Sequence, residues 1–344
     1  MRTAFNLALL LTACTASSQY NSPESVEYDT AGDRYFVSNT GDNTIKQRDQ
    51  AGAVTAFVSV SPAPYGLEIQ GDTLFACSGG SVKGYSLSSA ALVFNLNLGG
   101  TFLNGITSDG THIYVTDFSA KRIHKIDPAL GTSSILVNST VFTPNGIVYD
   151  PADDRLVVVA WGSNAAITAV DKNSGAMTTL STTNLTNIDG VTIDCDGHFI
   201  VASWSPDRLT RYEPSFTLPG VIVPATGLNN PADIDFDPLH GTVCVPNANG
   251  NSVSLVPVAE CTVGVAPVMA WEEFQVFPNP AEAIIRVALG AIGPVPYLLM
   301  DAKGLMVGGG VLPVGGLLDI EPLRSGTYVL SIPGLRKLAR FVRE

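Results

Sequence analysis

The chain has 344 residues, a formal net charge of −12, only 15% charged residues, and 33 glycines and 22 prolines. An acidic surface of this kind argues against nucleic acid and anionic membranes as partners. Few charges and many turn formers favour numerous short strands over a helical protein.

Residues 1–19 predict a signal peptide. Arg2 precedes a mostly apolar run at 4–13, which is too short to span a bilayer. Two cleavage sites are compatible with this segment. The small residues at 16–18 fit a signal peptidase, and the Leu-Thr-Ala-Cys sequence at 11–14 fits a lipobox that would lipidate Cys14. No other stretch predicts a transmembrane segment.

A turn followed by an apolar strand recurs six times after the signal peptide. One position of this repeat returns every 39 to 44 residues and is occupied by Glu24, Tyr65, Asn104, Asn145, Asp189 and Ala232. Each repeat contains four strand patterns, which in the first repeat cover 25–28, 34–38, 44–48 and 54–59. A period of about 40 residues with four strands is typical of a propeller blade. We therefore predict an all-β fold, with a six-bladed β-propeller over 20–265 that is expected to be monomeric.

The repeated position predicts a site on the propeller axis, because equivalent positions of a closed ring face one another. Four of its six residues are oxygen donors, namely Glu24, Asn104, Asn145 and Asp189. Oxygen-only donor sets suit hard cations, so Ca²⁺ is favoured, with Mg²⁺, Mn²⁺ or Zn²⁺ as alternatives. A simpler interpretation remains open, since Asn-Gly and Asp-Gly pairs also form turns.

The propeller resembles the regucalcin/gluconolactonase family (SMP-30-like). The resemblance rests on Ser22-Pro23-Glu24, on Pro144-Asn145-Gly146 and on Asp189-Gly190. It implies that Glu24, Asn145 and Asp189 hold a divalent metal and that Asn104 contacts the substrate. It also implies lactone hydrolysis, in which the metal polarises the carbonyl and Asp189 serves as ligand and general base.

Two residues depart from that family pattern and keep a second function open. Phe102 and Gly105 stand where the lactonases carry Arg and Asp. The sequence at 114–117, Tyr-Val-Thr-Asp, followed by Arg122-Ile123, is equally similar to NHL-type repeats, which often only bind. The chain is therefore either a metal-dependent hydrolase of lactones or related esters, or a non-catalytic propeller that binds a small-molecule ligand or protein partner at the cell surface.

Residues after the propeller lack the repeat. Residues 266–271 predict a linker, and alternating strands over 272–344 predict a small β-sandwich. The motifs Phe-Pro-Asn-Pro-Ala at 277–281, Asp-Ala-Lys-Gly at 301–304 and Ser-Gly-Thr-Tyr at 325–328, with the basic ending at Lys337 and Arg340, resemble the C-terminal sorting domain of the type IX secretion system of Gram-negative bacteria. The resemblance implies the secretion machinery as a partner, passage through the periplasm, and a secreted or cell-surface protein. An accessory sandwich is the alternative.

Other residues with chemical potential give weaker patterns. For Cys77, Cys195, Cys244 and Cys261 we favour buried free thiols. If an exported protein pairs any of them, Cys244 and Cys261 are the favoured pair, since both fall in the last repeat. The four histidines, none of which occupies the axial position, do not support a Ser-His-Asp triad: His112, His124, His198 and His240. Trp161 and Trp204 end the second strands of successive repeats, where they either rim an apolar pocket or pack between blades.

Overall fold

The computed structural model describes residues 19–258, 272–287, 295–302, 306–332 and 337–344. The chain forms two compact units that divide between Thr262 and Val263. Every regular element of the described residues is a strand, which confirms the all-β prediction. No helix in these residues is long and apolar enough to cross a membrane.

The first unit contains five four-stranded antiparallel sheets and one three-stranded sheet, each built from consecutive strands. Blades 1 and 2 comprise β1 (Pro23–Asp29), β2 (Arg34–Asn39), β3 (Thr44–Asp49), β4 (Val54–Ser59), β5 (Pro64–Gln70), β6 (Thr73–Ser78), β7 (Ser81–Ser86) and β8 (Leu92–Asn97). Blades 3 and 4 comprise β9 (Leu103–Ser108), β10 (Ile113–Asp117), β11 (Arg122–Asp127), β12 (Thr132–Val137), β13 (Thr143–Asp150), β14 (Arg155–Trp161), β15 (Ala166–Asp171) and β16 (Met177–Thr182). Blades 5 and 6 comprise β17 (Thr186–Ile193), β18 (Phe199–Ser205), β19 (Asp207–Tyr212), β20 (Val221–Val223), β21 (Asp235–Asp237), β22 (Thr242–Asn247) and β23 (Ser252–Pro257). Six sheets in chain order confirm the six-bladed propeller.

A repeated Asp fixes the turn between the first and second strands. In five blades this carboxylate accepts hydrogen bonds from backbone N–H groups two or three residues later. The five are Asp29, Asp109, Asp150, Asp194 and Asp237. Asp150 also pairs with Arg155, which begins the next strand, at 2.9 Å. These local bonds hold each hairpin in register and so set where the first strand ends and the second begins.

Glycine allows the first strands of neighbouring blades to approach closely. In blades 2 to 5 the residue after the axial position is Gly66, Gly105, Gly146 or Gly190. A Cβ on Gly146 would lie 2.5 Å from the backbone oxygen of Asp189, and a Cβ on Gly190 would lie 2.6 Å from that of Ala232. A side chain at these positions would push the strands apart, because the contact is with backbone.

Blades 1 and 6 meet differently, at the point where the ring closes. Ser25 and Asp233 occupy the glycine position in these blades and form a parallel bridge. The Asp233 N–H donates to the backbone oxygen of Glu24 at 2.9 Å, and the Val26 N–H donates to the backbone oxygen of Asp233 at 3.2 Å. The innermost strands therefore bond the first blade to the last. From the sequence we expect residues 261–265 to supply an outer fourth strand of blade 6, and these residues lie outside the described ones.

The second unit contains two sheets. Their strands are β24 (Glu272–Glu273), β25 (Val276–Phe277), β26 (Ile284–Val287), β27 (Val295–Asp301), β28 (Met306–Leu312), β29 (Leu317–Asp319), β30 (Gly326–Ile332) and β31 (Lys337–Arg343). One sheet has the order β24-β31-β30-β27-β28 and the other β25-β26-β29. Ile285, Leu330 and Phe341 are central to one shared core, as expected for a small β-sandwich.

The buried free thiol favoured for Cys244 is confirmed, and the alternative disulfide with Cys261 does not form. Cys244 is a free, buried thiol on β22, where it packs against Tyr28 and Tyr35 of blade 1. Cys77 is also free and buried. Cys195, by contrast, forms a disulfide, so the free thiol favoured for it is wrong. Cys244 behaves as a small apolar residue between two blades, a role that sequence spacing does not reveal.

Candidate metal centre on the propeller axis

The oxygen donors predicted from the repeat meet at the beginnings of the first strands. The Asn145 Nδ2 donates to Asp189 Oδ1 at 2.8 Å across blades 4 and 5. The Asn104 side chain lies close enough to Glu24 to lower the pKa of its carboxyl, and the charge of Asp189 raises that pKa. Up to 165 sequence positions separate these four residues, which we call the axial centre. Ala232, which lacks a donor, is fully buried.

The Thr116 hydroxyl holds the backbone of Asn145 in place. The Thr116 hydroxyl donates to the Asn145 backbone oxygen at 2.7 Å and accepts from the Gly105 N–H at 2.9 Å. Asn145 itself is 1% exposed. Since its Nδ2 faces Asp189, its Oδ1 is the atom left to accept from, or coordinate, another group.

Two oxygens of the axial centre are buried without a hydrogen-bond partner among the described residues. They are Glu24 Oε2 and Asn145 Oδ1. An unsatisfied buried acceptor costs about 1–3 kcal/mol, and more when it is charged. A hard divalent cation takes carboxylate and amide oxygens as ligands. The donor set of Glu24, Asn145 and Asp189 therefore fits such an ion.

The electrostatics of the axial centre also favour a cation. Burial raises the pKa of Glu24 well above its ordinary value, and repulsion from Asp189 and Asp233 raises it further. Burial raises the pKa of Asp189 to about 7, against the lowering effect of Asn145 and of the Trp204 indole. That indole N–H lies near the carboxylate but does not satisfy hydrogen-bond geometry. Neither carboxylate forms an ion pair with a described basic residue, so a metal ion would supply the missing positive charge.

Asp233 joins this cluster although it was not predicted. It accepts a hydrogen bond from the Ser25 hydroxyl at 2.8 Å. Burial, followed by repulsion from Asp189 and Asp235, raises its pKa well above the ordinary value. The sequence carries one signal for it: in the sixth repeat an acid follows the axial position, where four other repeats have glycine.

A second level of carboxylates lies three residues further along the first strands. Glu27, Glu68 and Asp235, here called the inner carboxylates, all have raised pKa values, with burial as the largest cause. Repulsion between neighbouring carboxylates raises these pKa values further. For Asp235 the pKa rises to about 6. Glu27 accepts from the Ile69 N–H at 2.9 Å, and Asp235 from the Tyr28 N–H at 2.9 Å. Acidic side chains therefore continue along the axis beyond the axial centre.

The inner carboxylates predict a pH-dependent stability. A pKa raised in the folded state stabilises the protein below the ordinary pKa, and this contribution is lost as pH rises through the raised value. Because Glu68 faces Glu27, Asp233 and Asp235, we expect Glu68→Gln to raise Tm at pH 8 by about 2–4 °C, the shift that ~1 kcal/mol produces. At pH 4 the variant and the parent should melt together. Thermal unfolding in EDTA measures both, and equal Tm values at pH 8 would refute the repulsion.

Another acidic group lies away from the axis. Asp194, Asp196 and His198 have ligand atoms within 4.8 Å of one another. The Arg211 guanidinium already pairs with Asp194 at 2.6 Å and with Asp196 at 3.1 Å. Asp194 is also one of the five repeated turn residues described above. Arg211 thus already neutralises these carboxylates, so this group does not need a metal ion for charge balance. The carboxylates of the axial centre have no such partner among the described basic residues.

Comparison with known proteins supports the fold. A gluconolactonase from Xanthomonas campestris is similar with a TM-score of 0.59 at 15% identity, covering 70% of this chain and 88% of that chain. A protein of unknown function from Bacteroides thetaiotaomicron has a TM-score of 0.57 at 13% identity, covering 69% and 70%. Virginiamycin B lyase from Staphylococcus aureus, solved with quinupristin, has a TM-score of 0.53 at 15% identity, covering 81% and 94%. No protein-family model and no curated protein matches the chain.

Proposed function

We propose that the axial centre binds a divalent cation, Ca²⁺ in the first place, and that the protein hydrolyses lactones or related esters. The observation that carries this proposal is the pair of unpartnered buried oxygens, Glu24 Oε2 and Asn145 Oδ1, beside Asp189 and Asp233. Similarity in fold to a gluconolactonase supports the same reaction class.

The chain's own residues can carry out the steps of this reaction. A bound divalent ion would polarise the ester carbonyl and make a water molecule more acidic. Asp189 would accept a proton from the attacking water as the general base. The water oxygen bonds to the carbonyl carbon, the ring C–O bond breaks, and the leaving oxygen takes up the proton to give a hydroxy acid. Asn104 would hold the substrate through its amide.

Hydrolysis of a panel of lactones by the full chain tests this proposal. We expect Asp189→Asn to reduce kcat/KM by about 10²–10⁴-fold, the usual contribution of a general base. Asp196→Asn, which removes a carboxylate from the group paired with Arg211, is the matched control and should retain activity. Turnover that survives Asp189→Asn would contradict the assignment.

Binding without catalysis is the second candidate function. It is favoured by Phe102 and Gly105, two residues that bring no charged group beside Asn104. In that case the ion at the axial centre is structural, and the propeller recognises a ligand or protein partner at the cell surface. Cation binding by the full chain without Asp189-dependent turnover of any lactone would assign this function.

We also propose that the second unit is a sorting domain and that the protein is exported. In support, the Pro-Asn-Pro motif is bonded to the basic last strand. Asn279 Oδ1 accepts from the Val342 N–H at 2.9 Å, and its Nδ2 donates to the Arg340 oxygen at 3.0 Å. The motif thus holds the C-terminal strand in a defined shape. Export of a reporter protein fused to 272–344, in a bacterium with a type IX system, tests this role.

A further inference from the structure

Five aromatic side chains form a continuous row beside the axial centre. Neighbouring rings contact each other edge to face: Tyr65–Phe102 with centroids 4.8 Å apart, Phe102–Phe118 at 5.4 Å, Phe118–Trp161 at 5.9 Å and Trp161–Trp204 at 4.8 Å. All five are partly exposed. We call them the aromatic arc. Edge-to-face contacts of this kind hold aromatic rings in fixed positions.

The strand register places the arc on the face where the axial centre lies. The second strand of each blade ends opposite the beginning of the first, as in the pairs Asp117–Leu103, Ala160–Pro144 and Ser203–Ile188. The next residue in these blades is Phe118, Trp161 or Trp204. The equivalent position in blades 1, 2 and 6 carries Thr40, Gly79 and Ala248. One side of this face is therefore aromatic, and the other side has small residues.

Both ends of the arc lie beside the carboxylates of the axial centre. Trp204 is close enough to Asp189 to lower its pKa. Tyr65, at the other end, lies near Glu24, whose charge adds to the effect of burial in raising the pKa of the phenol. A substrate carbonyl held at the axial centre would thus have its substituent against the arc.

We propose that the protein selects lactones or esters that carry an aromatic or alkyl group, and that the aromatic arc binds that group. This inference rests on the proposed function. The arc has no charged side chain, and its polar atoms are the Tyr65 hydroxyl and the indole N–H groups of Trp161 and Trp204. Apolar and aromatic groups gain free energy by leaving water for such a surface. A polyhydroxylated sugar lactone would instead need several hydrogen bonds there to replace those it makes with water.

A matched pair of six-membered lactones tests the selectivity. Dihydrocoumarin carries a fused aromatic ring, whereas D-glucono-δ-lactone carries hydroxyl groups. With the cation-loaded full chain we expect kcat/KM for dihydrocoumarin to exceed that for the sugar lactone by about tenfold or more, equal to ~1.4 kcal/mol. Trp161→Ala should reduce this preference for dihydrocoumarin over the sugar lactone by about tenfold. Trp161 is chosen because it lies inside the arc, between Phe118 and Trp204, and is not one of the two rings beside the carboxylates.

A non-hydrolysable probe separates binding from catalysis. The aryl lactam 3,4-dihydro-2-quinolinone should bind about tenfold more tightly than 2-piperidinone in calorimetry, and Trp161→Ala should abolish the difference. Phe57→Ala, which removes a partly buried ring on the outer strand of blade 1, is the matched control and should not alter it. Trp161→Leu gives a second variant if Trp161→Ala does not fold.

The two arms have distinct outcomes. Trp161-dependent lactam binding without turnover of any lactone would support the arc as a binding surface and refute the hydrolase. Asp189-dependent turnover with no preference for the aromatic lactone would overturn the inference and leave the proposed hydrolase intact. The same holds if lactones are hydrolysed but Trp161→Ala does not change the affinity for the aryl lactam.

Discussion

Replacing Glu24 with Gln is expected to weaken divalent-cation binding by about 100-fold. Substitution of residues that only support metal ligands already costs about 10–100-fold in affinity, and a ligand should cost at least as much. Gln keeps the size of the side chain and one oxygen but removes the negative charge. This loss of cation affinity should exceed the loss caused by neutralising a surface carboxylate in the same way, because Glu24 Oε2 is buried and has no partner in the described residues. Isothermal titration of the full chain with Ca²⁺ and Mn²⁺ measures the effect.

The same substitution should have the opposite effect on stability when no cation is present. Repulsion from Asp189 and Asp233 contributes to the raised pKa of Glu24, so removing its charge in EDTA should leave Tm unchanged or higher. With cation at 100 times Kd the parent gains ~2.7 kcal/mol, and the variant should not. Asp153→Asn, which removes an exposed charge paired with Arg155, is the control. A variant that keeps the parent's affinity would show that Glu24 is not a ligand.

A Gly146→Ala substitution is expected to lower the free energy of unfolding by about 3 kcal/mol, the upper range for inserting a methyl group into a packed interior. The new Cβ would lie 2.5 Å from the Asp189 oxygen and 3.0 Å from the Gly190 Cα. Both are backbone atoms and cannot rotate away. The first strands of blades 4 and 5 must therefore separate, and Asn145 must move away from Asp189.

Two measurements check this prediction. Denaturant unfolding should give the loss of stability, and calorimetry should show weaker cation binding in the same variant, since the Asn145–Asp189 contact spans the two strands. Gly250→Ala is the control, because a Cβ there meets only side-chain atoms at 3.1 Å or more. If Gly146→Ala is as stable as Gly250→Ala, close contact between blades does not depend on this glycine.

The repeat made much of the fold predictable. Strands alternate with turn residues at a fixed period, so β1–β4 could be predicted to within one or two residues, and equivalent positions had to face one axis. Glu24, Asn104, Asn145 and Asp189 could be brought together on that ground alone. The amide and carboxylate oxygens at these positions then indicated what kind of ion would fit.

The features that could not be predicted from the sequence depend on contacts between blades. Asp233 was missed because it stands one residue after the repeated position, at the place where the ring closes through its bridge with Ser25. The place of Cys244 between two blades, packed against Tyr28 and Tyr35, is likewise not visible in chain order. The aromatic arc joins rings from blades 2 to 5, which only the assembled propeller places in a row.

Anomalous diffraction from a crystal of the full chain soaked in Mn²⁺ tests the central claim most directly. We predict a peak on the propeller axis, at about 2.1–2.6 Å from oxygens of Glu24, Asn145 and Asp189, the range for hard divalent cations. A peak at Asp194, Asp196 and His198 with none on the axis, or no peak at either place at saturating Mn²⁺, would contradict it.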